Sequence, residues 1–169
     1  MSDSPIANGA QEAASQEPLL AINGQYLKDL TFENPSPLES LRALDSVPEA
    51  AVSVDIQAVP LDAHVFEVSL KLSVNAQHKD KTVYVAEVDY AGIFTLSSQI
   101  PDEHRHALLM IEGPRLLFPF VRALLVDVSR EGGYPPLSLM PIDFVAIYAQ
   151  QQQQMAQEAG ATLAPKADA

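Results

Sequence analysis

The 169-residue chain carries 10 Lys and Arg against 22 Asp and Glu, a formal net charge of -12, with 47% hydrophobic residues and no cysteine. A field of that sign repels phosphate backbones and anionic headgroups, so nucleic-acid and membrane-surface roles are disfavoured, and without cysteine there is no disulfide, thiolate zinc site or Cys nucleophile. The apolar fraction suffices for one core of ordinary size, and Pro or charge interrupts every apolar run well short of a bilayer span.

Residues 1–23 are rich in Ala, Ser, Gln and Pro and hold few apolar side chains, too few to offset the entropy of ordering, so a disordered arm is predicted. The arm has no Lys or Arg and no sustained apolar run, so neither a signal nor a transit peptide is expected, while the absence of cysteine fits a reducing compartment and makes the cytoplasm the expected location. Period-2 alternation then predicts strands over 26–33, 52–58, 65–75 and 82–94. In the first, Tyr26, Leu30 and Phe32 share one face and Asp29, Thr31 and Glu33 the other. In the second, Val52, Val54 and Ile56 oppose Ser53, Asp55 and Gln57; in the third, Phe66, Val68, Leu70, Leu72 and Val74 oppose Glu67, Ser69, Lys71 and Ser73. The fourth sets Glu87 and Asp89 against Ala86, Val88 and Tyr90. One apolar face per strand implies an antiparallel sheet covered on one side. The polar turn at 78–81 predicts a hairpin between the third and fourth strands, whereas the proline-rich link 34–48 is too long for a hairpin and reads as a crossover.

A helix is predicted from Asp102, placed as N-cap after Pro101, and Gly113-Pro114 is expected to break or bend it. Beyond the bend, Leu116, Phe120, Leu124 and Val128 recur at four-residue spacing, widened by Leu117, Val121 and Leu125 into a stripe broader than one sheet face requires. Gly132-Gly133 supplies a left-handed cap, Pro135-Pro136 prevents continuation, and Phe144, Ile147 and Tyr148 mark the apolar edge of a last helix that the Gln151–Gln154 run can extend. Residues 157–169 read as a disordered tail, leaving 24–156 as the folded domain. The architecture is α+β: a four-stranded antiparallel sheet with a long kinked helix and a C-terminal helix on one side.

The commonest catalytic motifs, GxxxxGK, GxGxxG, GxSxG and HExxH, are absent. The sole local cluster of potential metal ligands is DEHRH, where Asp102, His104 and His106 offer a small metal-dependent enzyme as a rival reading. Residues two apart on a helix point about 200° apart, which favours a polar helix start instead. No cofactor and no resident metal are expected. Asp29 and Glu33 on the first strand, with Glu87 and Asp89 on the fourth, form one negative patch if those strands are neighbours. In the stretch PPLSLMP, the prolines hold Leu137 and Leu139 extended on one side, close to Phe144 and Tyr148, as an apolar strip for an extended client segment.

The segments QYLKDLTFENP at 25–35, AEVDYAGIF at 86–94 and PRLLFPFVRALLVDVSREGGYPPLSLMPIDFVAIY at 114–148 occur in the order found in the bacterial protein-export chaperone SecB family, which the chain resembles over residues 22–150. The resemblance implies an ATP-independent holding chaperone, not an enzyme, that passes unfolded precursor proteins to the SecA motor. It implies SecA docking at Asp29, Glu33 and Glu87, where SecA presents its positively charged, zinc-bearing C-terminal end. The implied client groove is lined by Val52, Val54, Leu137, Leu139 and Tyr148, with Phe144 beside them. A homotetramer, a dimer of dimers with the long helices at its centre, is implied too, and Leu117, Val121, Leu124 and Val128 are the expected interface. Two features depart from the family: the crossover has no Trp, leaving Leu38 or Leu41 as substitutes, and Gly113 stands where a cysteine commonly precedes the proline. A general antiaggregation or toxin-linked chaperone of the same fold is the second reading.

Overall fold

The computed structural model describes residues 18–162. In chain order it contains β1 (Leu20–Glu33), α1 (Pro37–Ala43), β2 (Glu49–Pro60), β3 (Val65–His78), β4 (Lys81–Leu96), α2 (Asp102–Glu131) and α3 (Phe144–Thr162). The strands form one antiparallel sheet in the order β1-β4-β3-β2. Link 34–48 therefore crosses from one edge of the sheet to the other, as its length requires, and includes the short helix α1, which has no buried residue. The β3–β4 hairpin turns at Lys79 and Asp80, both with positive φ (49° and 62°), the backbone twist that a two-residue turn needs to match its flanking strands.

Alternation sends Val68, Leu70, Leu72 and Val74 of β3 and Ala86, Val88 and Phe94 of β4 into the core, where they meet Leu109, Leu117, Val121 and Leu125 of α2. The other face carries Asp55, Glu67, Ser69, Lys71, Ser73, Glu87 and Asp89. The fold class expected from the sequence is the one observed.

Several local expectations are corrected. β1 begins at Leu20, so residues 20–23 belong to the sheet and not to the arm, while 1–17 lie outside the described residues. The β1–β4 register shifts between Leu27 and Asp29, leaving Lys28 as an inserted residue. An inserted residue reverses the facing of the residues before it, here back to Gly24, where a second shift restores it. Tyr26, opposite Ala91, accordingly shares the outer face with Asp29 instead of the core face with Leu30 and Phe32. α2 is a single 30-residue helix containing both Pro114 and Pro119, so of the two outcomes expected at Gly113-Pro114, a break or a bend, the break is excluded and one long helix stands. Each proline lacks the N–H that would bond four residues back, yet the buried apolar face of the helix spans both sites. Its N-cap is Pro101, and Asp102 is already helical.

The C-terminus of α2 closes as expected, with Gly133 at φ 87°, its N–H donating to the Arg130 carbonyl and that of Tyr134 to the Ser129 carbonyl. α3 runs on to Thr162, so its last turns occupy the start of the segment read as a tail, and 163–169 lie outside the described residues.

Candidate functional site

Two surfaces correspond to the docking and client-groove positions expected from the sequence. The first is the outer face of the sheet. Because β1 pairs with β4, Asp29 lies opposite Asp89, Thr31 opposite Glu87 and Glu33 opposite Val85, so the four carboxylates occupy adjacent strands on one face. Two lysines of that face are committed internally. Lys71 Nζ lies 2.7 Å from Glu87 Oε1, and the Ser73 hydroxyl donates to Glu87 Oε2 at 2.9 Å. Lys28 Nζ lies 2.8 Å from Glu67 Oε1, and the Tyr26 hydroxyl donates to Glu67 Oε2. The Lys71 ammonium, then Ser73, holds the Glu87 carboxyl below its ordinary value, and Lys28, then Tyr26, does the same for Glu67. The same bonds raise both lysines and the Tyr26 phenol. Asp89 Oδ1 is buried without a hydrogen-bond partner.

The second surface runs along β2, an edge strand whose outer side pairs with no other strand among the described residues. Loop 135–143 passes beside it, and a crevice of about 340 Å³ opens between them, lined by Ala50, Val52, Ser138, Leu139, Met140 and Ile142. Val52 is 39% exposed and Met140 80% exposed, whereas Val54 is half-buried. The structure places Leu137, Leu139 and Phe144 differently from an exposed strip: all three are buried in the core, and only Leu139 also borders the crevice. Tyr148 is half-buried, and its hydroxyl lies 3.3 Å from His106 Nδ1.

Two buried polar anchors hold the loop. Ser129, fully buried on α2, accepts the Leu137 N–H on its Oγ at 3.0 Å and donates to the Val126 carbonyl at 2.9 Å. The Tyr134 hydroxyl lies 2.9 Å from Asn34 Oδ1 and 3.1 Å from the Val83 carbonyl, tying loop, crossover and β4 together. Neither anchor was foreseen; the available signal was a lone serine on the apolar stripe of α2.

A family model described as the preprotein translocase subunit SecB matches residues 13–155. The chain belongs to the SecB family. Among curated relatives, the protein-export protein SecB of Rhodospirillum centenum is 45% identical over 155 residues, covering 89% of this chain and 92% of that one. The protein of the same name from Rhodospirillum rubrum is 44% identical, covering 95% and 96%. In fold, the chain is similar to a SecB-like chaperone of Mycobacterium tuberculosis, solved in complex with a ChAD peptide from the HigA1 antitoxin. That match has a TM-score of 0.55 and 18% identity and covers 73% of this chain and 90% of that one. SecB proteins are protein-export chaperones, and the α+β architecture agrees with that membership.

The outward face of α2 is a third surface that carries residues expected to have a role. Leu117 and Val121, expected at a subunit interface, are fully buried against the protomer's own sheet and cannot meet a second chain. The open side carries Leu116 and Phe120, each 44% exposed, with Leu124 and Val128 half-buried behind them. Phe120 stacks on Tyr90 at 5.9 Å. The DEHRH residues diverge: Asp102 pairs with Arg105 at 3.0 Å, His104 faces Glu103 at 3.5 Å and His106 turns to Tyr148. Among the described residues no His, Asp and Glu group has metal-holding geometry, and no helix is long and apolar enough to cross a membrane.

Proposed function

We propose that the chain is a cytoplasmic holding chaperone that binds unfolded precursor proteins without nucleotide and delivers them to the SecA motor, breaking no bond. The observation that carries this reading is the open edge of β2 beside an apolar crevice. The free N–H and C=O groups of an edge strand accept an extended segment of any sequence, and apolar walls such as Val52 and Met140 add affinity without demanding a motif. Selectivity is then kinetic, because fast-folding chains bury their apolar segments before capture. Docking on SecA is assigned to Asp29, Glu33 and Glu87, supported by their common face and by the similarity to protein-export SecB. The working assembly is a homotetramer, a dimer of dimers, supported by the exposed Leu116 and Phe120 beside Leu124 and Val128.

Light scattering coupled to size exclusion, with and without a reduced, unfolded precursor and with no nucleotide present, tests holding and assembly together. A mass near four times 18.3 kDa that rises on adding client is expected; a monomer that fails to retain the client refutes the proposal. Coprecipitation with SecA separates the export role from general antiaggregation activity of the same fold.

A further inference from the structure

The acidic face contains its own cation. Lys71 lies opposite Asp89 on β4 and opposite Asp55 on β2, while Asp89 in turn lies opposite Asp29 on β1. A row of Asp55, Lys71, Asp89 and Asp29 thus crosses the whole sheet, and the lysine reaches diagonally from it to Glu87 at 2.7 Å. With Ser73 on its second oxygen, Glu87 has both carboxylate oxygens engaged. Asp29 and Glu33, by contrast, have no cation within ion-pair distance among the described residues. The carboxylates assigned to docking are therefore not equivalent: two are free and one is already neutralised.

We propose that Lys71 is a built-in competitor of the docking partner, holding on Glu87 the place that a cationic group of SecA takes, so that docking requires the lysine to leave. This inference rests on the outer face being the docking surface. Departure is cheap. The lysine side chain is 41% exposed, surface ion pairs are weak, and Asp55 stands across the strand pair to receive the ammonium on its flexible stem. Lys71 consequently sets the strength of docking, and Glu87 contributes fully only after the exchange. Lys28 is the internal control. It carries the same charge on the same face but is held by Glu67, which lies four residues from Lys71, about 13 Å along β3.

The test is calorimetric titration of the full-length protein with SecA at about 0.1 M salt, where surface charges still act over roughly 10 Å. Lys71→Met is expected to tighten binding about three- to five-fold, Lys28→Met less than about two-fold, and Lys71→Arg to stay near wild type because it restores a competing cation. Glu87→Gln is expected to cost less than about two-fold with Lys71 present and about five-fold in the Lys71→Met background, a non-additivity that a simple change of net charge does not produce. Equal tightening by Lys71→Met and Lys28→Met, or additive effects of Lys71→Met and Glu87→Gln, overturns the competitor role. If Asp29→Asn/Glu33→Gln binds SecA as wild type does, the docking face itself is wrong and the competitor falls with it. Unaltered mass and far-UV spectrum confirm that each variant compared is folded.

Discussion

Leu139 and Met140 are adjacent in sequence and opposite in environment, which allows client binding to be separated from folding. Leu139 is 7% exposed and packs in the core, whereas Met140 is 80% exposed at the mouth of the crevice. Leu-to-Ala truncation in a core costs about 2–5 kcal/mol, the spread reflecting how well the site collapses. Since Leu139 also borders a crevice that water or a shifted loop can fill, the lower part of that range applies, about 2–3 kcal/mol. With a urea dependence of about 2 kcal/mol/M for a chain of this size, the midpoint of Leu139→Ala should fall by about 1 M at equal protein concentration. Met140→Ser should move it by less than about 0.3 M, because a side chain left in water contributes little to folding. The order reverses in a holding assay: Met140→Ser, combined with Val52→Ser, should weaken suppression of aggregation of a reduced, unfolded client while the far-UV spectrum stays intact. An unchanged urea midpoint for Leu139→Ala would show that the loop is not packed as described. Full protection by Val52→Ser/Met140→Ser would remove the crevice from the client path.

Replacing Leu124 with Asp places a charge on the apolar outward side of α2 and should split the assembly, since an unpaired charge in an apolar interface costs several kcal/mol; an unchanged light-scattering mass rejects that interface. Reversing Glu33 and Glu87 to Lys should abolish SecA binding in a titration, with tetramer mass and antiaggregation activity retained, and the wild-type affinity should fall steeply as salt rises while client holding barely changes. The depressed Glu67 and Glu87 carboxyls make a pH prediction. Their folded values lie below the ordinary 4.5, so their contribution is complete above that pH and is lost as pH falls through the lowered folded values. The urea midpoint should therefore drop on acidification below about pH 4.5, and Glu67→Gln should flatten that drop.

Much of this molecule was legible in the pattern of its residues. Alternation over 65–75 and 82–94, with polar residues at 78–81, specified two strands and the hairpin between them, and the length of 34–48 required a crossover. The side-by-side placement of Asp29, Glu33, Glu87 and Asp89 followed once β1 paired with β4. Periodicity reports which residues share a face of one element; it does not report which face meets the rest of the chain. The wide stripe of α2 was visible, but only packing against the sheet assigned Leu117 and Val121 to the core and left Leu116 and Phe120 in the open. Leu137 and Leu139 showed the spacing of an extended apolar strip, yet Ser129 draws the loop onto α2 and turns both inward. Lys28 is an inserted residue only by virtue of its register with β4, and that single insertion carries Tyr26 to the acidic face, where its hydroxyl meets Glu67. Strand faces and charges are local properties that neighbouring residues encode. Bulges and the choice between two apolar helix faces are settled by distant partners, and the loop needs a distant anchor beside its local one at Ser129, as the Tyr26–Glu67 and Tyr134–Asn34 bonds across 41 and 100 residues illustrate; only the folded chain brings such partners together.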